Sequence, residues 1–161
     1  MDIKDEFFDT KVEDTVQLTS SLEDEENGVL TAAPSDTVYE CIGRMTDLDV
    51  GSIVVMDGDT ISGIFTERDY MREIVLEGRS SDETDVQEVM TEDVATVHPE
   101  DPLAGCLQVM TEIWCRHLPV VDEDENLIGI VSIRDGVQEL VETAERETDW
   151  LLQYIEGQYS V

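Results

Sequence analysis

GSIVVMDGDTISGIFTERD (residues 51–69) and HLPVVDEDENLIGIVSIRD (residues 117–135) follow one pattern. Each begins with a β-rich run, Ser52 to Met56 or Leu118 to Val121. Turn residues follow, Asp57-Gly58-Asp59 in one and Asp122 to Asn126 in the other. A second β-rich run carries Gly63 or Gly129, and a Ser/Thr-x-Arg-Asp group then opens a helix. Each stretch reads as a hairpin leading into a helix.

The likeness continues outward. At a shift of 65 residues, Val29 to Asp36 aligns with Val94 to Asp101, Cys41 with Cys106 and Met45-Thr46 with Met110-Thr111. After one extra residue in the second copy, Gly63-Ile64 matches Gly129-Ile130, and Arg68-Asp69 matches Arg134-Asp135. So long a period means two duplicated domains rather than a solenoid. In each copy an extended stretch ends at Pro34 or Pro99, and an Asp two residues on marks the helix start. Val38, Cys41, Ile42, Met45 and Leu48 share one helical face, as do Leu103, Cys106, Leu107 and Met110. The helix after the first hairpin is expected to bury Tyr70, Met71, Ile74 and Val75 and to end at Gly78. Its counterpart runs from Asp135 through Val137, Leu140, Val141 and Ala144.

The order is β-α-β-β-α twice, an α+β tandem. Sheets this small bury little alone, so the copies are expected to pack together about a pseudo-two-fold axis. The division is an acidic segment over 1–28, a first copy over 29–80 and a second over 81–145. A helical tail spans 146–161. Phe7, Phe8, Val12, Val16 and Leu18 make the first segment either a docking piece or a frayed end.

Forty Asp and Glu stand against nine Lys and Arg in 161 residues, a net charge of −31, with 40% of residues hydrophobic. That apolar share builds a core, so disorder is excluded. The charge repels nucleic-acid and lipid phosphates, which argues against nucleic-acid and membrane partners. Neither a membrane-length apolar run nor a signal-peptide core is present in the sequence, so a cytoplasmic protein is expected. At molar salt the screening length falls to about 3 Å, so this composition suits a salt-rich cell such as a halophilic archaeon. A melting temperature that rises with KCl is the expected signature.

The two quoted stretches resemble tandem cystathionine-β-synthase (CBS) domains, over roughly residues 29–145. The segment from Glu67 to Pro102 is similar to the linker of small stand-alone CBS pairs, and WLLQYIEGQY (150–159) to their tails. The resemblance implies a non-catalytic regulatory module, dimeric, binding AMP, ADP, ATP or another adenosyl ligand in clefts between the copies. It implies no resident cofactor and leaves the target protein unnamed.

Under that resemblance Asp69 and Asp135 hold the ribose. A carboxylate accepts both vicinal hydroxyls. Thr66 and Ser132, each opening a helix, hold phosphate beside exposed amides. Ser/Thr-x-x-Asp is also a capping box that needs no ligand. An Arg before each Asp, in an arginine-poor chain, favours a ligand. Arg116 and His117 stand where the family reaches phosphate, and a guanidinium there would bind it strongly. An exposed pairing of Arg116 with one of the many carboxylates is the alternative. Pro119 and Val54 belong to the adenine cleft, as do Thr31 and Thr96, for which β-propensity is an equal explanation. Copy one lacks the basic pair and the Pro, having Gly51-Ser52-Ile53-Val54, so the clefts are not expected to be equivalent.

Cys115 and His117 are too few ligands for a metal site, and Cys41 and Cys106 read as small core residues without a disulfide. The last helix, Val137 to Ile155, carries an apolar stripe with Trp150 and Tyr154, suited to an oligomer interface or to folding back on its own chain. Catalytic triads, P-loops and dinucleotide fingerprints are absent from the sequence, so an enzyme is not expected. The competing readings are a ligand-free scaffold and a sensor of S-adenosylmethionine.

Overall fold

The computed structural model describes residues 3–16 and 29–159, with side chains at 6–16 and 29–153. Two short helices, α1 (Ile3–Asp9) and α2 (Val12–Thr15), come first. The first copy has β1 (Thr31–Ala32), α3 (Val38–Asp47), β2 (Ser52–Asp57), β3 (Thr60–Thr66) and α4 (Glu67–Asp69). A π-helical turn (Tyr70–Val75) continues α4, and a 3-10 turn (Val86–Glu88) lies in the linker. The second copy has α5 (Leu103–Glu112), β4 (His117–Val121), β5 (Leu127–Ser132) and α6 (Ile133–Tyr159). Leu18 and the acidic run from Glu23 to Gly28 lie outside the described residues, as do the side chains of Tyr154 and Ile155.

The chain forms two compact units, which do not follow the two copies. One holds Gln17–His98 with Leu118–Ile130. Its sheet runs β1-β2-β3, with β1 parallel to β2 and β2 antiparallel to β3. The β2–β3 turn passes through Gly58, whose φ of +62° favours glycine. One face of this sheet meets α3 in a core of Leu30, Val38, Cys41, Met45, Ile53, Val55 and Phe65, to which Val86 and Val89 of the linker belong. The other face buries Val29, Val54 and Met56 against Leu127, with Ile130 beside them. Burial on both faces explains why β2 is a continuous apolar run and not an alternating one.

Met1–Val16, Pro99–His117 and Val131–Val161 make up the other unit. In it α1 packs on α5 and α6. Phe7, Val12, Leu103, Cys106 and Met110 are buried. Gly136 lets α6 approach α5, since a Cβ there would overlap Leu107. Arg146 ties α1 to α6, with Nε 3.2 Å from Glu6 Oε1 and Nη2 3.0 Å from Glu139 Oε1. The N-terminal segment therefore docks.

It docks as the linker does. Val12 N donates to the Asp101 carbonyl at 3.0 Å and Glu13 N to Pro99 at 3.0 Å, while Leu103 N donates to Thr10 at 2.9 Å. In the first copy Val86 N donates to Asp36 at 2.9 Å, Gln87 N to Pro34 at 3.2 Å, and Val38 N to Thr84 at 2.9 Å. Pro34, Asp36 and Val38 are the counterparts of Pro99, Asp101 and Leu103 at the shift of 65. Both arms close on themselves, Lys11 N on Asp14 Oδ2 at 3.0 Å and Asp85 N on Glu88 Oε2 at 2.9 Å. Each first helix thus receives the same strap, Thr-x-Val followed by two acidic or amide residues.

Several expectations need correction. Thr37, not Asp36, caps α3: Glu40 N donates to Thr37 Oγ1 at 3.2 Å, and Thr37 N donates to Glu40 Oε2 at 3.0 Å. Asp36 Oδ2 instead accepts from Ala33 N at 2.9 Å and lies 3.7 Å from Arg44 Nη1. In the second copy Pro102 occupies the cap position and the Asp101 carbonyl takes the strap. We expect Thr37→Ala to cost about 1 kcal/mol in urea unfolding, the usual worth of such a cap. Met71 and Val75 are exposed, not buried. The π winding, with Leu76 N donating to Met71 at 3.1 Å and Arg79 N to Ile74 at 3.0 Å, shifts the α phase that their spacing assumes. Gly78 follows at φ +65°. Leu48 lies past the last turn of α3 and is exposed. Val137, Leu140 and Val141 are also exposed, because α6 turns Gly136 and Thr143 inward instead.

Candidate functional site

The Ser/Thr-x-x-Asp groups fold identically. Thr66 Oγ1 donates to Asp69 Oδ2 at 2.8 Å and Thr66 N to the same oxygen at 2.9 Å, while Asp69 N donates to Thr66 Oγ1 at 3.3 Å. Ser132 Oγ and Ser132 N donate to Asp135 Oδ2 at 2.7 and 2.6 Å, and Asp135 N donates to Ser132 Oγ at 3.3 Å. Both are capping boxes, so the local fold is self-sufficient. Both also fix the carboxylate through one oxygen. A carboxylate has about four acceptor positions, and the box draws on Oδ2 only, so capacity remains for a diol. All four side chains are half-buried.

A second shared contact places the residue before each hairpin beside its box. Glu67 N donates to the Gly51 carbonyl at 3.2 Å, and Ile133 N donates to the Arg116 carbonyl at 2.9 Å. Arg116 thus stands at the start of α6 with Ser132 and Asp135, its side chain exposed. Spacing alone could not reveal this neighbourhood, which comes from a backbone bond between segments 17 residues apart.

Thr31 and Val54 are register partners across β1 and β2. Val54 is fully buried with Val29, Met56 and Leu127, so its side chain presents no surface to a ligand. Thr31 is half-buried. In the second copy Val97 N donates to the Pro119 carbonyl at 3.0 Å, which sets Thr96 next to Pro119. Thr96 is exposed, Pro119 buried and His117 half-buried. Thr96 and Pro119 belong to one compact unit, whereas Arg116, His117, Ser132 and Asp135 belong to the other. An open groove on α3, lined by Asp36, Tyr39, Glu40, Gly43, Arg44 and Asp47, contains none of the candidates.

Among the described residues no group of three His, Cys, Asp or Glu side chains is arranged to hold a metal ion. Cys41 and Cys106 are buried free thiols, and burial pushes each up to about 11. A thiol whose folded value is raised binds its proton more tightly when folded, so its contribution to stability is present below pH 9 and lost as pH climbs towards 11. We expect urea stability to decline across that window, and Cys41→Ala with Cys106→Ala to flatten the decline.

The residues that composition and spacing did not single out are the straps, Thr10 to Asp14 and Thr84 to Glu88. Their signal is Thr-x-Val-Glu-Asp against Thr-x-Val-Gln-Glu, at a shift of 74 and not 65.

Three comparisons bear on these features. The CBS domain family model matches residues 26–76 and 86–142. CBS domain-containing protein CBSX3, mitochondrial, from Arabidopsis thaliana is 41% identical over 135 residues, covering 81% of this chain and 65% of its own length. The chain therefore spans about two thirds of that relative. A solved CBS-domain protein from Burkholderia ambifaria MC40-6 superposes with a TM-score of 0.69 at 43% identity, over 73% of this chain and 87% of that one. The CBS domain pair of protein MJ0100, solved with 5′-methylthioadenosine and S-adenosyl-L-methionine, has a TM-score of 0.68 at 21% identity, over 82% and 98%. With the duplicated hairpin-and-box unit and a family match to each copy, the chain belongs to the CBS-domain family as a tandem pair.

Proposed function

We propose that this CBS pair is a regulatory module that binds an adenine nucleotide, AMP, ADP or ATP, through its Ser/Thr–Asp boxes and performs no catalysis. The observation that carries the reading is the repetition of one geometry. The same carboxylate oxygen is fixed by the same two donors in both copies, with the rest of the carboxylate able to take a ribose diol. Adenosyl ligands occur in the MJ0100 pair, which supports the ligand class and makes S-adenosylmethionine the second reading. A ligand-free scaffold is the third.

The module acts in the cytoplasm of a salt-adapted cell as a homodimer that signals to a target protein. A ligand shifts such a dimer only by binding one of its shapes more tightly. What supports the dimer is the phase of α6, which leaves Val137, Leu140, Val141, Leu151 and Leu152 exposed on a single helix. Light scattering of the purified chain should give twice the 18.1 kDa chain mass. For the ligand, native mass spectrometry of freshly purified protein is the test, followed by thermal shift with AMP, ADP, ATP and S-adenosylmethionine at high KCl. A retained adenine nucleotide and a raised melting temperature are expected. No retained ligand and no shift with any of the four would leave the scaffold reading.

A further inference from the structure

The two boxes are alike, but their surroundings differ in charge at matching positions. Asp49 and Trp114 both take a positive φ at the end of the first helix, at 53° and 56°. Gly51 and Arg116 both offer the carbonyl that holds the box, and Glu67 and Ile133 both supply the amide. The first copy thus presents Asp, Gly and Glu where the second presents Trp, Arg and Ile. That is two carboxylates against one guanidinium, in addition to the Arg-Asp pair common to both copies.

We infer that the two copies sort ligands by charge: the second takes a phosphorylated nucleoside, and the first takes a nucleoside without phosphate. The inference rests on the nucleotide reading above and adds to it the ligand class of each site. In a chain of net charge −31, a polyphosphate gains little from the field as a whole and depends on cations beside it. Arg116 supplies one next to Ser132 and Asp135, where a guanidinium can make two parallel hydrogen bonds to phosphate. At the equivalent place in the first copy Gly51 has no side chain. Glu67, exposed at the first helical position, sets a like charge against any phosphate held by the amides there. A ribose diol carries no charge, so Asp69 can still accept it. Glu67 is therefore the residue that keeps phosphate out of the first copy.

Calorimetry with ATP and with adenosine at high KCl tests the inference. The wild-type chain should bind one ATP, and adenosine should still bind once that site is full. Arg116→Gln alters an exposed side chain and should weaken ATP about tenfold or more while changing adenosine less than twofold. Gly51→Arg with Glu67→Ile should raise ATP stoichiometry to two per chain. Should that pair fail to fold, as judged by its melting curve, Glu67→Gln alone should tighten ATP at the first copy in the Arg116→Gln background. Two ATP per wild-type chain, or equal loss of ATP and adenosine in Arg116→Gln, would overturn the charge sorting and leave the nucleotide reading standing. Absence of binding of both probes would overturn that reading and the sorting with it.

Discussion

Val12→Asp should unfold the unit containing α5 and α6, or lower its stability by about 4 kcal/mol or more. Val12 is fully buried. A carboxylate there would lose its water without gaining a partner, or would be forced to protonate. Its neighbours in the strap, Thr10, Lys11 and Glu13, are held by backbone bonds to Leu103, Pro102 and Pro99, so the chain cannot swing the side chain out without breaking them. Val12→Ala keeps those bonds and should cost only about 2 kcal/mol, the transfer energy of the lost methyl groups. Both tryptophans, Trp114 and Trp150, lie in the same compact unit as Val12. Their fluorescence in urea therefore reads the loss directly. A Val12→Asp transition that overlays wild type would mean that the strap is not integral to that unit.

Phe65→Ala is the counterpart in the other unit, with an expected cost of about 3–5 kcal/mol. Phe65 is the largest fully buried side chain, and it fills the space between the sheet and α3 beside Met45, Ile53, Val55 and Ile74. Removing the ring leaves a cavity that a parallel-plus-antiparallel sheet of three strands cannot collapse to fill. Its position one residue before Thr66 means that ligand affinity at the first copy should fall with it. Far-UV circular dichroism in urea reads the stability change. A loss under 1 kcal/mol would show that the packing around β3 is looser than the structure has it.

The duplicated hairpin was legible because it is written twice. Gly63 and Gly129, the turns after Met56 and Val121 and the closing Arg-Asp pairs all fall at one spacing. The core faces of α3 and α5 were legible for the same reason, their apolar residues following an α-helical period. The helix after the first hairpin was not, since a π turn changes the period and Met71 and Val75 move off the core face. On α6 the apolar stripe was found, but not which way it faces. A small buried residue such as Gly136 is chosen by the close approach of Leu107, a tertiary fact that hydropathy does not record. The straps escaped for a different reason. They repeat at 74 residues while the domains repeat at 65, and each depends on hydrogen bonds to a backbone far away in sequence. At the candidate site the box was readable as Thr66–Asp69 and Ser132–Asp135. The placing of Gly51 and Arg116 beside it came from the fold. Val54, whose apolar side chain suits either a cleft wall or a core, proves to be core.

The central claim is that the paired Asp residues grip a ribose. Isothermal titration with AMP, ADP and ATP should be run on the wild-type chain and on Asp69→Asn with Asp135→Asn. Asn keeps an acceptor for the cap, so the fold should hold, but it loses the second carboxylate oxygen that a diol requires. The expected result is binding of at least one nucleotide by wild type and a drop of about a hundredfold or more in the double variant, roughly 2.7 kcal/mol. Unchanged affinity in a folded double variant would contradict the claim.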